Sequence, residues 1–123
     1  MSAFGSSAAA YGAASRALGT PRSIEHDLFS EITGRLSRAA GPGGSFSDLA
    51  SALNDNMALW RTLALDLTAP DNALPEALRA QLLSLATFVE RHTALVIARK
   101  ASADPIIEIN TAIMRGLRGQ LAA

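Results

Sequence analysis

Cysteine is missing from this chain altogether. Its absence removes disulfides, thiolate nucleophiles and thiolate metal ligands together, and it permits a reducing compartment. Histidine is almost as scarce, with only His26 and His92 present. Neither has a metal-ligand partner at helical spacing. Glu90 is two residues from His92, which puts it on a different face of a helix. Calcium-type aspartate loops, GxGxxG and the phosphate-cradling P-loop pattern are also lacking. Gly41-Pro42-Gly43-Gly44 is rich in glycine, but its proline withdraws a backbone donor, so it reads as a helix terminator. We find no catalytic constellation, no metal site and no cofactor pattern, and expect a protein that is not an enzyme.

An excess of charge of one sign is lacking too. Eleven basic and eleven acidic residues cancel, and aromatics make up only 5% of the chain. Nucleic-acid binding through phosphates or stacked bases normally needs more of both, so no direct nucleic-acid contact is expected. The longest charge-free apolar run, Ala80 to Val89, is interrupted by Gln81, Ser84 and Thr87 and is too short to span a bilayer. No charged side chain precedes Arg16, and the opening has no dense apolar block, unlike a secretory signal. The expected location is the cytoplasm, with no membrane contact.

What remains is helix. No segment alternates with period two between turns, so no sheet is predicted. Residues 46–67 carry Phe46, Leu49, Leu53, Met57, Trp60, Ala64 and Leu67 in steps of three and four, a continuous apolar stripe. Residues 75–101 carry a matching stripe at Leu78, Leu82, Leu85, Val89, His92 and Val96. The loop between them allows only a reversal, so the two should form an antiparallel hairpin. The second helix also has Leu83, Phe88, Leu95 and Ile97 off its main stripe, which predicts packing on more than one side and a place at the centre of the bundle.

The flanking segments follow from caps and breakers. Thr20-Pro21 opens a helix striped by Ile24, Leu28, Ile32, Leu36 and Ala39, which the GPGG run ends. Glu31 and Arg35 in it are spaced for an i,i+4 ion pair. Ser45 or Ser47 caps the next helix. Asp104-Pro105 opens the last, over about 105–120, with Ile106, Ile109, Ile113 and Leu117 inward. Phe4, Tyr11 and Leu18 fall seven apart in an Ala/Gly/Ser-rich opening, giving a weak helix over about 7–17 that forms only when docked. The reading is a single all-α domain, an antiparallel bundle of four main helices over 20–120 with a loosely held segment over 1–19.

Three features carry any binding role. Trp60, the one tryptophan, suits either a core position or a binding anchor. Asn54, Asp55 and Asn56 are poor helix formers in mid-helix, and form either a solvated shoulder or a polar contact at a groove edge. Asn110, among Ile106, Ile107, Ile109 and Ile113, reads as a cap or an inter-helix hydrogen bond. His92, on an apolar stripe, reads as a hydrogen-bonded boundary residue.

Several stretches resemble the flagellar biosynthesis regulator FlaF family of alphaproteobacteria. They are Thr20-Pro21-Arg22, Ala52-Leu53-Asn54 with Leu59-Trp60-Arg61-Thr62-Leu63, Pro70-Asp71-Asn72-Ala73-Leu74-Pro75, Phe88-Val89-Glu90-Arg91-His92-Thr93, and Ile107-Glu108-Ile109-Asn110 with Ile113-Met114-Arg115-Gly116-Leu117-Arg118-Gly119. The long Ala/Gly/Ser opening and the GPGG run depart from the family pattern. The resemblance implies a small cytoplasmic flagellum-assembly protein that binds unpolymerised flagellin before export and acts beside a second regulator, FlbT. It leaves open a second role, control of flagellin translation through FlbT or the mRNA. A helical bundle could cover flagellin's terminal helices in an apolar groove. The candidate partner-binding residues are then Phe4 and Tyr11, as a displaceable cover, or Trp60 with Asn56 and Arg61 as its polar rim.

Overall fold

The computed structural model of the chain describes residues 22–122. The expected helix over 7–17, the Thr20-Pro21 cap, and Phe4, Tyr11 and Leu18 lie outside the described residues. Four α-helices make up the fold: α1 (Arg22–Ala40), α2 (Phe46–Leu67), α3 (Glu76–Ile97) and α4 (Asp104–Ala122). No strand occurs among the described residues.

The helix ends follow local chemistry. Gly43 adopts φ +81°, and Gly44 returns its N–H to the Gly41 carbonyl at 3.0 Å. A side chain at position 44 would put its Cβ 2.1 Å from the Ala39 carbonyl oxygen, so only glycine fits there. Ser45 is the cap of α2, its hydroxyl accepting from the Asp48 N–H at 3.0 Å. Asn72 holds the next loop. Its amide donates to the Asp66 backbone and side-chain oxygens, both at 3.0 Å, and its oxygen accepts from the Leu74 N–H at 3.0 Å. That fixes Leu74 in the core, 4% exposed.

Helix α3 stops at Ile97, so Arg99 and Lys100 lie beyond it rather than in its last turn. Arg99 takes a left-handed φ of 61°. The N–H of Lys100 reaches the Leu95 carbonyl and that of Arg99 the Val96 carbonyl, each at 2.9 Å. This is the paired closure usually built on glycine. An arginine holds it here, its guanidinium carbon 4.1 Å from the centre of the Phe46 ring at the start of α2.

Neighbouring helices run antiparallel. Phe29 and Arg35 of α1 meet Trp60 and Asp55 of α2 in reverse order. Arg61 and Phe46 of α2 meet Glu90 and Arg99 around α3 in the same sense. Two clusters fill the interior. One surrounds Phe29, Trp60, Leu67, Leu82, Val89 and Ile113, the other Leu36, Leu53, Val96 and Ile106. Each fully buried leucine among them stabilises the fold by about 1.5–3 kcal/mol relative to exposure.

Two expectations need correction. Helix α3 is not the centre of the bundle. It packs along α2 and meets α4 only briefly, whereas α2 packs on both α1 and α3, and α1 also packs on α4. Phe88, Leu95 and Ile97 are therefore exposed at 42%, 45% and 46%. Apolar residues off the main stripe mark a surface here, not a second buried face. The expected Glu31–Arg35 pair is likewise replaced. Arg35 reaches across to α2 instead, bonding Asp55 at 2.6 Å and Ser51 at 3.3 Å. Asp55 has a shorter side chain than Glu31, so holding the pair costs less side-chain entropy.

Candidate partner-binding site

The interior turns on Asn110. Its amide oxygen accepts from the Trp60 indole N–H at 3.0 Å. Its amide nitrogen donates to Thr33 Oγ1 at 3.1 Å and to Asn56 Oδ1 at 2.8 Å. One side chain thus joins α1, α2 and α4. Asn56, Trp60 and Asn110 are fully buried and Thr33 nearly so. Both hydrogens of the Asn110 amide are used. The Asn56 Nδ2 atom is the only member of the set with no partner. Phe29 packs its ring edge-on to the indole at 6.0 Å and 86°, so Trp60 is fixed by both a hydrogen bond and an aromatic contact.

The buried indole also lies beside a groove between α2 and α3. A recess of about 230 Å³ is lined by Met57, Trp60, Arg61, Ala64, Leu83 and Ala86, with Thr87 and Glu90. It runs into a shallower recess of about 380 Å³ whose walls are almost wholly apolar. The two share Arg61, Ala64 and Leu83, so they adjoin. Leu65 stands at their mouth, 74% exposed. Arg61 and Glu90 face each other across the rim at 3.6 Å, both largely exposed. A pair so open to water contributes about 1 kcal/mol at most and can be exchanged for another partner.

The other flank of α3 is different. Phe88 stacks on His92 at 5.2 Å, and the His92 Nε2–H donates to the Ser102 carbonyl at 2.7 Å. His92 is therefore a boundary residue tying α3 to the loop before α4. Among the described residues no group of three or more His, Cys, Asp or Glu side chains could hold a metal ion. None of their helices is long and apolar enough to cross a membrane.

The family model for flagellar protein FlaF matches residues 7–117. This chain belongs to the FlaF family. Comparison with curated proteins and with solved structures found no match. The FlaF membership agrees with the resemblance read from the Leu-Trp, FVERHT and IEIN segments. In structural terms the FlaF segments are mainly core and loop chemistry. Trp60 and Asn110 bond each other, and the PDNALP stretch is the loop that Asn72 holds.

Of the five residues singled out from sequence, the three described ones, Asn56, Trp60 and Arg61, stand in different surroundings. Phe4 and Tyr11 lie outside the described residues. Asn56 faces the interior, neither a solvated shoulder nor a groove edge, and offers no surface to a partner. Trp60 is also buried, beside the groove, whereas Arg61 is on the rim at 67% side-chain exposure. Sequence reasoning missed Leu65 and the place of Leu83 in the groove. The signal was available: Leu65 is a large apolar residue four after Arg61, well away from the inward stripe of α2.

Proposed function

We propose that this FlaF-family chain binds unpolymerised flagellin as a chaperone and regulator of flagellin synthesis and export. It does so in the cytoplasm and without catalysis. One observation carries the reading: the recesses along α2 and α3, apolar on the Leu65 side, mixed where Thr87 and Glu90 line them, and rimmed by an exchangeable ion pair. Unpolymerised flagellin presents amphipathic terminal helices, and a groove between two helices covers such a helix by burying its apolar face. The Phe4, Tyr11, Leu18 stripe supports a second element of the proposal, a displaceable cover that flagellin replaces.

The test is calorimetric titration of cognate flagellin monomer into this protein, beside flagellin lacking its terminal helices. Binding of the full-length form alone supports chaperoning by helix burial. Binding of both forms moves the contact to flagellin's folded core. Binding of neither removes the flagellin reading and directs attention to the translational regulator as partner.

A further inference from the structure

The flank of α3 away from α2 has an order of its own. Leu78, Gln81, Leu85, Phe88, His92 and Leu95 follow one another in steps of three and four, a seven-residue repeat. That is the seam a helix offers to one long partner helix. Leu78 is buried, Leu85 and His92 are half-buried, and Phe88 and Leu95 are exposed. The recess beside α2 is lined by other residues of α3: Leu83, Ala86, Thr87 and Glu90. Helix α4 meets α3 only briefly. Among the described helices, then, the seam lacks a partner along its full length.

The 21 residues that precede α1 fit it. Phe4, Tyr11 and Leu18 repeat at the same seven-residue interval. As a helix they span about 21 Å, against about 25 Å from Leu78 to Leu95. Between them on that face come Ser7 and Ala14, small residues that leave holes for large side chains opposite. Arg16, the one charged residue of the segment, falls on the other face. The segment also starts from the right end of the bundle. Phe29 packs on Trp60, and these lie seven residues from Arg22 and Leu67, so α1 begins level with the end of α2. The short loop after Leu67 puts the start of α3 there too. Gly19-Thr20-Pro21 is enough for a reversal. The family match begins at residue 7, so most of the segment belongs to the shared domain.

We propose that residues 4–18 form a helix seated antiparallel on this seam, with Leu18 level with Leu78 and Tyr11 level with Leu85. This gives the cover named above a resting place. Helix α3 serves both the seam and the recesses beside α2, so a partner helix packing on α3 competes with the segment. The seat itself does not depend on flagellin.

The chain has no cysteine, so engineered pairs report on it directly. Ala14→Cys is combined either with Gln81→Cys on the seam or with Arg61→Cys on the rim beside α2, which are level with each other to within about one helical turn. The full-length proteins are oxidised without flagellin, and non-reducing peptide maps locate the disulfide, with Trp60 emission checking that each is folded. The seam pair should link within one chain and the rim pair should not, because bridged Cβ atoms must come within about 4.5 Å. Adding Phe88→Glu to the seam pair should remove most of the link. A link in the rim pair instead would place the segment over the recesses and overturn the seat. A seam link found only between copies would give the seam to a second copy of the chain and overturn it as well. So would folded protein in which neither pair links, or a seam link that Phe88→Glu leaves intact. Each of these results leaves the flagellin reading to its own titration.

Discussion

Replacing Asn110 by alanine should be among the most damaging single changes available to this bundle. The substitution leaves the Trp60 N–H without its acceptor and Asn56 Oδ1 without its donor, both inside a region sealed from solvent. Thr33 suffers less, because its hydroxyl can turn to a carbonyl one turn back in α1. Each orphaned buried group costs about 1–3 kcal/mol, so two of them give about 2–6 kcal/mol. That is a large part of the 5–15 kcal/mol that typically separates folded from unfolded. Asn56→Ala makes a sharp comparison. It removes one acceptor of Asn110 but also removes the unpartnered Nδ2, so about 1–2 kcal/mol is expected. The assay is urea unfolding followed by tryptophan emission, for Trp60 is the only tryptophan and is fully buried. A loss under about 1 kcal/mol for Asn110→Ala, or one equal to that of Asn56→Ala, would refute the hub as the organiser of the interior.

Other outcomes follow from geometry described above. Gly44→Ala should lower stability by at least about 2 kcal/mol, because its Cβ meets a backbone carbonyl that cannot move aside. Gly43→Ala has open space around it and should lose only about 1 kcal/mol for its left-handed backbone; thermal melts of the two variants decide. Asn72→Ala removes three hydrogen bonds that hold the α2–α3 loop and should cost about 1–2 kcal/mol, with faster amide exchange at Leu74. Deleting residues 1–18 should raise flagellin affinity if Phe4 and Tyr11 cover the groove. Unchanged or weaker binding sinks that part of the proposal.

Much of the architecture was legible in the chain. Ser45, the GPGG run and the loop before Pro75 fixed helix boundaries through chemistry that acts over a few residues. The apolar stripe of α2 put Trp60 inward, and Asn110 was open to reading as an inter-helix bond. The harder cases share one cause. In Asn54-Asp55-Asn56, successive side chains point about 100° apart, so each meets a different environment. Asn54 is exposed, Asp55 takes Arg35, and Asn56 enters the core. Their polarity is visible in the sequence, but the partners that settle their roles lie on other helices. The same holds for α3, whose extra apolar residues could mean a second buried face or a surface for something else. Which it is depends on whether α4 comes close, and Asn110 fastens α4 to α1 and α2 instead.

That fastening also has a consequence for the order of events as the chain is made. The hairpins α1–α2 and α2–α3 close over short loops, so their contacts form cheaply and early. The bonds of Asn110 reach back 77 residues to Thr33 and 54 to Asn56. A chain emerging from the ribosome must therefore wait, with an indole N–H and two polar side chains unanswered, until α4 is out. The hub is a latch set late. Substitutions at Asn110 should speed unfolding far more than they slow folding, and a chain truncated before α4 should expose the very surface that the complete protein keeps closed.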